Sequence, residues 1–253
     1  MDLVAAILPN SRSVQVGFPA TAFATIINTD DQTATNCGIA PITSVPADFL
    51  FQTTDPLTNV LTGTTNTPVD IAGGNGIQTY VFAFTPTAPI APTEVQLSFA
   101  CDGSAANVVV GLNTLLLSAS DFPVPDIVAL GATIDNDGIV KLSSTGVFAV
   151  ATVNVGGAGG LITASADTGA VSLPVDITLC ETDPGTGVCL GALVNGANGV
   201  TTQTDTGETP TFGIFVDSDE VIAFDPAVNR VFVRFRDGGG VVRGATSVAV
   251  RTQ

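Results

Sequence analysis

Apolar residues come along this chain in short bursts. They alternate with polar residues or run unbroken for a few positions, and turn-forming residues punctuate them throughout. Such runs cover residues 21–28, 48–53, 79–85, 94–101, 147–155, 174–180, 211–216 and 231–236. A period of two is the signature of a strand with one buried face. In the last run it sends Val231, Val233 and Phe235 one way and Phe232, Arg234 and Arg236 the other. Helix signals are scarce. The 27 Gly and 15 Pro, with many Thr and Val, favour turns and strands. Proline falls at the ends of the runs rather than inside them, as ladder hydrogen bonding requires. The spacing predicts an all-β chain with a β-sandwich in each half.

The halves repeat each other. Residues 46–63 align with 174–191 without a gap, and eight of the 18 positions are identical: Pro46, Asp48, Thr54, Asp55, Pro56, Thr58, Val60 and Gly63. Asp2-Leu3-Val4-Ala5 resembles Asp126-Ile127-Val128-Ala129, and Thr25-Ile26-Ile27-Asn28 resembles Ala151-Thr152-Val153-Asn154. More loosely, Phe99-Ala100-Cys101-Asp102-Gly103 matches Arg234-Phe235-Arg236-Asp237-Gly238. A period this long is a whole domain used twice, not a solenoid repeat. Two domains are expected, 1–122 and 126–253. Pro123 and Pro125 make the join an extended, semi-rigid spacer. No charged start, apolar segment and cleavage site precede the first copy. The chain therefore reads as a mature or trimmed form, with Met1 added at its start.

Composition adds a setting. Apolar residues make up 45% of the 253 and charged ones 12%, yet no apolar run is long enough for a membrane helix. Few charges on so apolar a chain leave much weakly polar surface. That surface is either Thr/Ala/Gly-rich and solvated, or partly covered by partners. The segment Phe23-Ala24-Thr25-Ile26-Ile27-Asn28-Thr29-Asp30-Asp31-Gln32-Thr33-Ala34-Thr35-Asn36-Cys37 is similar to the B–C hairpin of bacterial immunoglobulin-like repeats of the cell-adhesion-related (CARDB-like) kind. The second copy has a Gly-rich turn, 156–160, at that place. The resemblance implies two tandem immunoglobulin-like β-sandwich domains in an exported or surface protein.

The four cysteines fall two per copy. Cys180 and Cys189 flank an Asp-Pro-Gly turn that folds them opposite each other, at a disulfide's reach. The aligned residues in the first copy are Gln52 and Leu61. Cys37 and Cys101 remain, and in a sandwich of the resembled type they fall on neighbouring strands C and F. The expected bonds are Cys37–Cys101 and Cys180–Cys189. They imply an oxidising compartment: extracellular, cell surface or periplasm. Without His or a CxxC spacing, zinc is disfavoured.

The net charge is −16, a poor match for nucleic acid. Arg230, Arg234, Arg236, Arg243 and Arg251 crowd into the last 24 residues, where Asp237 is the only acid. Two readings stand for this cluster. One is local pairing with acids such as Asp217, Asp219 and Glu220. The other is a basic docking face for an acidic surface, such as a neighbouring copy, giving chains or filaments where contacts do not close.

Asp135-Asn136-Asp137-Gly138 resembles part of a calcium loop, but in the EF-hand register Thr133 and Ser144 take positions 1 and 12, and neither fits. A hairpin turn on Asp-Gly is the expectation there. Asp217, Asp219 and Glu220 form a second weak Ca²⁺ candidate, and no other cofactor is expected. With no His, Ser–His and Cys–His nucleophile pairs are excluded. The expected function is a non-enzymatic structural or adhesive module that associates with other copies or surface proteins. The alternative is a carbohydrate- or calcium-binding sandwich.

Overall fold

The computed structural model describes residues 2–252. Met1, expected above to be an added residue, and Gln253 lie outside the described residues. The chain divides into two compact units, Met1–Phe122 and Pro123–Gln253. Each is built from strands alone among the described residues.

In the first unit the strands are β1 (Leu3–Leu8), β2 (Ser11–Gln15), β3 (Ala20–Asn28), β4 (Ala34–Pro41), β5 (Ala47–Thr54), β6 (Val69–Ile71), β7 (Gly76–Pro86), β8 (Ile90–Cys101), β9 (Ser104–Ala105) and β10 (Thr114–Ser120). One sheet runs β1-β3-β7-β5. The other runs β2-β10-β8-β4-β6, with β9 pairing β8. In the second unit they are β11 (Ile127–Thr133), β12 (Ile139–Leu142), β13 (Thr145–Asn154), β14 (Gly160–Asp167), β15 (Asp176–Thr182), β16 (Val194–Asn195), β17 (Val200–Thr204), β18 (Thr211–Asp217), β19 (Arg230–Asp237) and β20 (Val242–Thr252). The sheets are β11-β13-β18-β15-β16 and β12-β20-β19-β14-β17. The two units therefore repeat one wiring. The first two strands of each unit go to different sheets, and the second lies parallel to the last strand.

Alternation builds the cores. In β13, Phe148, Val150 and Thr152 are buried while Val147, Ala149 and Ala151 are exposed. Tyr80, Phe82 and Phe84 of β7 all point inward. They meet Phe49 and Phe51 of β5, with ring centroids 4.8 Å apart for Phe49–Phe84 and 5.9 Å for Phe51–Tyr80. Burial pushes the Tyr80 phenol pKa up. The second core is leaner in aromatics, with Phe212 and Phe235 at 5.6 Å. Each core takes residues from both sheets of its unit, a sandwich-like arrangement.

Several expectations change. β3 and β4 lie in different sheets, so 23–37 is a crossing between layers rather than a hairpin. The same holds for Asp135–Gly138, which carries the chain from β11 to β12. Asn136 and Gly138 take positive φ there, at 55° and 73°. Pro92 sits inside β8, but at the bulge where the pairing of β8 with β10 slips, so its missing N–H costs no regular ladder bond. Phe99 and Phe235 are both core residues, so they are the equivalent pair. The sequence match of Phe99 to Arg234 is one residue out of register, and a slip of one reverses every face. The 156–160 turn is also a tight crossing. A Cβ on Gly156 would stand 2.3 Å from the Val124 carbonyl oxygen and 2.4 Å from the Asp126 nitrogen. That contact binds residues 123–125 to the second unit.

The Asp-Pro hairpins match bond for bond. Asp55 Oδ1 accepts from Thr58 N at 2.8 Å, Thr58 Oγ1 at 2.9 Å and Leu57 N at 3.0 Å. Asp183 Oδ1 accepts from Thr186 N at 2.8 Å, Thr186 Oγ1 at 2.9 Å and Gly185 N at 3.0 Å. These bonds lower both carboxyl pKa values, those from Thr58 and Thr186 contributing most. Cys180–Cys189 closes the second hairpin with Cα atoms 5.6 Å apart. In the first, Gln52 spans the same place, donating to Thr62 O at 3.3 Å and Gly63 O at 3.1 Å. The shared frame makes Gln52→Cys with Leu61→Cys a ready disulfide. Oxidation of that variant is expected to raise the first unit's stability by about 2 kcal/mol. Two free thiols by titration after air oxidation would count against it.

Candidate functional site

The final hairpin, β19 with β20, holds the arginines, and their surroundings differ sharply. Val231, Val233 and Phe235 enter the core, leaving Phe232, Arg234 and Arg236 on the outer side. Arg230 is not on an outer face. It is buried, with 4% exposure. Its Nη1 donates to Pro226 O at 2.8 Å, and its Nε and Nη2 donate to Ser247 Oγ at 3.1 and 2.9 Å. The segment before β19 supplies that cover. Burial among neutral oxygens lowers the Arg230 pKa to about 10.

The remaining arginines are held in several ways. Arg234 Nε meets Asp167 Oδ2 at 2.7 Å, and its guanidinium carbon stands 5.0 Å from the Phe232 ring centre. Arg243 Nε meets Asp237 Oδ2 at 2.7 Å. Arg251 stacks on Phe224 at 5.1 Å. Arg236 donates to Gly240 O at 3.4 Å. The acids that pair with this cluster are thus Asp167 and Asp237, rather than Asp217, Asp219 and Glu220. Hairpin pairing brings Asp237 beside Arg243, and the β14–β19 ladder brings Asp167 beside Arg234.

Asp237 organises the turn. Burial opposes its ionisation. Arg243, with the amides of Val241 at 3.0 Å and Gly239 at 2.9 Å, outweighs that and holds the pKa below the usual carboxylate range. A folded value below the unfolded ~3.9 gives stability that is full above ~3.9 and is lost as pH falls through the folded value. The stability gap between the native chain and Asp237→Asn is therefore widest near neutrality and closes in acid. A gap that stays constant from about pH 2 to 7 would contradict this.

The calcium candidates do not converge. Lys141 Nζ sits between Asp135 Oδ2 at 2.6 Å and Asp137 Oδ2 at 2.8 Å. The two carboxylates raise the lysine pKa, Asp135 the more strongly. The chain's own cation thus occupies that turn, which the sequence pattern did not reveal. Asp217, Asp219 and Glu220 line an open groove with Asp176, Ser144 and Pro174. Thr145 donates its hydroxyl proton to Asp217, and Ser218 Oγ donates to Pro174 O at 2.7 Å. Among the described residues no three acidic or sulfur side chains form a metal-sized group.

Cys37 and Cys101 join the adjacent strands β4 and β8, with Cα atoms 4.0 Å apart. A further pair of residues, not singled out by the sequence pattern, fastens the loops of each unit. Asn28 and Asn154 end equivalent strands and are fully buried. Asn28 Nδ2 donates to the carbonyls of Gln32 at 2.7 Å, Ile71 at 3.2 Å and Ala72 at 3.2 Å. Asn154 Nδ2 donates to those of Ala158 at 2.9 Å and Thr204 at 3.2 Å, while its Oδ1 accepts from Gly156 N and Asp126 N at 3.0 and 3.1 Å. Each amide clasps the loops between the sheets. The signal was present as the one polar residue closing both matching segments.

No protein-family model matches the chain, and no curated protein is similar to it in sequence. Among solved structures, the secreted serine protease VesC from Vibrio cholerae is similar over 86% of this chain and 46% of that one. The identity is 9% and the TM-score 0.28. The chain spans less than half of that protease, and a likeness this slight carries no functional argument.

Proposed function

We propose that the chain is a structural or adhesive module of an exported bacterial surface or extracellular protein. In this reading it is two tandem immunoglobulin-like sandwiches that associate head to tail with further copies. The observation that carries the reading is the strand order. Strands one, three, seven and five share a sheet in the first unit, and the second strand pairs parallel with the last against the other layer. This order resembles the A-B-E-D and A′-G-F-C order of immunoglobulin-like sandwiches and supports the reading, and the second unit repeats it with its own strands. Two disulfides support an oxidising setting. Among the described residues no helix is long and apolar enough to cross a membrane.

Light scattering and negative-stain microscopy of the purified chain test the assembly. Linear oligomers that lengthen with concentration are expected. A chain that stays monomeric at every concentration and salt would overturn the self-assembling part of the reading.

A further inference from the structure

The two disulfides sit in different surroundings. Cys37 and Cys101 are 0% and 8% exposed and belong to the core of the first unit. Cys180 and Cys189 stand outside the core of the second. In β15 Ile177 and Leu179 enter that core, so Cys180 faces the outer side of its sheet. Its Sγ lies over Gly213, 3.7 Å from where a Cβ would stand, beside Thr182 and Phe215. Cys180 is buried there, whereas Cys189 is half-buried at the return of the hairpin, between exposed Val188 and Leu190. A thiol arriving from solvent therefore meets Cys189 first.

The hairpin keeps its shape by other means. Asp183 N donates to Val188 O at 2.9 Å, Gly187 N to Asp183 O at 2.8 Å and Leu190 N to Glu181 O at 2.8 Å. In the first unit Asp55 N donates to Val60 O at 2.9 Å, Asn59 N to Asp55 O at 2.9 Å and Thr62 N to Thr53 O at 2.8 Å. Thr182 bridges Cys189 as Thr54 bridges Leu61. That first hairpin holds the same frame with no cysteine in it. The frame thus keeps Cys180 beside Cys189 whether or not the sulfurs are joined. The bond spans nine residues, so opening it frees far less chain than opening the 64-residue span of Cys37–Cys101.

We infer that Cys180 and Cys189 form a thiol-exchange site that opens and recloses on the folded second unit, with uncharged or cationic small thiols as co-reactants. A thiolate RS⁻ attacks Cys189 Sγ. The R–S–S–Cys189 bond forms, the Cys180–Cys189 bond breaks, and Cys180 leaves as a thiolate that takes up a proton. A second thiolate attacks the sulfur of the bound R group, releasing RSSR and the Cys189 thiolate. Two electrons pass from two thiols to the chain, and RSSR returns the pair to the disulfide by the reverse steps. Reclosure is specific because the hairpin frame holds the two sulfurs together. A disulfide open to solvent is the labile kind, and one shut in a core has to be uncovered before a thiolate reaches it.

Charge sets the class of thiol. Glu181 and Asp183 adjoin the site, no Lys or Arg lies between residues 180 and 191, and the chain as a whole carries −16. An anionic thiol is repelled by that field and a cationic one is drawn in. The exchange is independent of whether copies associate.

Timed reduction of the full chain tests this. Cysteamine and glutathione are applied at equal thiolate concentration, samples are quenched with iodoacetamide, and the alkylated cysteines are located by peptide mass spectrometry. Cys180 and Cys189 are expected to be alkylated at least about tenfold faster than Cys37 and Cys101, with native circular dichroism retained. Cystamine is then expected to restore the same pair. At low salt cysteamine is expected to act about fivefold faster than glutathione, and the gap to narrow at high salt. Cys180→Ser treated with cystamine is expected to take up one cysteamine at Cys189, and Cys189→Ser, left with the buried thiol, to react at least about tenfold more slowly. The rates of the native chain decide the proposal even where a serine variant fails to fold. Both bonds opening together at the rate of unfolding, or a reduced chain without native dichroism, would make this bond purely structural and overturn the exchange. Glutathione as fast as cysteamine at low salt overturns the class of thiol. A Cys189→Ser chain that reacts as fast as Cys180→Ser overturns Cys189 as the point of attack.

Discussion

Replacing Cys37 and Cys101 together with alanine is expected to lower the stability of the first unit by about 4 kcal/mol. The same change at Cys180 and Cys189 should cost the second unit about 2.5 kcal/mol. The difference comes from the closed loops. One bond joins residues 64 apart, the other residues nine apart, and the unfolded chain loses more freedom to the longer tether. Cys37 and Cys101 also lie in the core, so their loss adds a small packing penalty of the same sign. Denaturant unfolding followed separately for each unit reads both numbers. Equal losses for the two bonds, or none at the first, would show that loop length is not the deciding term.

Asn154→Ala should be the most damaging alanine substitution in the second unit outside its core, at about 3 kcal/mol or roughly 10 °C in Tm. The side chain is fully buried and makes four bonds to backbone groups. Alanine leaves two carbonyls and two amides without that partner in a place water does not reach, and each unmet group carries its full desolvation cost. Asn154→Asp should cost at least as much as Ala, because it buries a carboxylate with one oxygen facing the Ala158 and Thr204 carbonyl oxygens, acceptor against acceptor. Asn28→Ala should act on the first unit in the same way. Calorimetry resolves the transitions, and a loss under about 1 kcal/mol in Asn154→Ala would mean the loops hold themselves.

The sequence pattern carried the strands well because alternation reports which side of a strand faces a core. Val231, Val233 and Phe235 were assigned inward on that ground, and they are inward. Alternation does not report which strand lies next door. The 23–37 segment reads as a hairpin through its resemblance and 135–138 through its Asp-Gly turn, although each crosses between sheets. The Cys180–Cys189 bond was legible because a short turn fixes its geometry locally. Arg230 was not, because its parity matches outward Arg234 and only the chain preceding it, through the Pro226 carbonyl, makes its position interior. Asn28 and Asn154 showed as matching letters, while their role depends on carbonyls up to about 50 residues away, such as Ile71 and Thr204. Nor did the pattern of Asp135 and Asp137 foretell that Lys141 would settle between them.

The parallel pairing of β2 with β10, and of β12 with β20, bears on how the chain carries tension. Pulling the two ends of a unit apart drags these neighbours in opposite directions along their length. Their rungs are strained together rather than peeled one after another, so each unit yields abruptly at high force. What is released afterwards is unequal. The Cys37–Cys101 tether withholds the 64-residue span from extension, whereas the second unit gives up nearly all its contour. In single-molecule pulling the first unit should lengthen by roughly half as much as the second while oxidised, and by a similar amount once reduced. The chain would then behave as two fuses in series, one with a short, redox-set stroke and one with a long one.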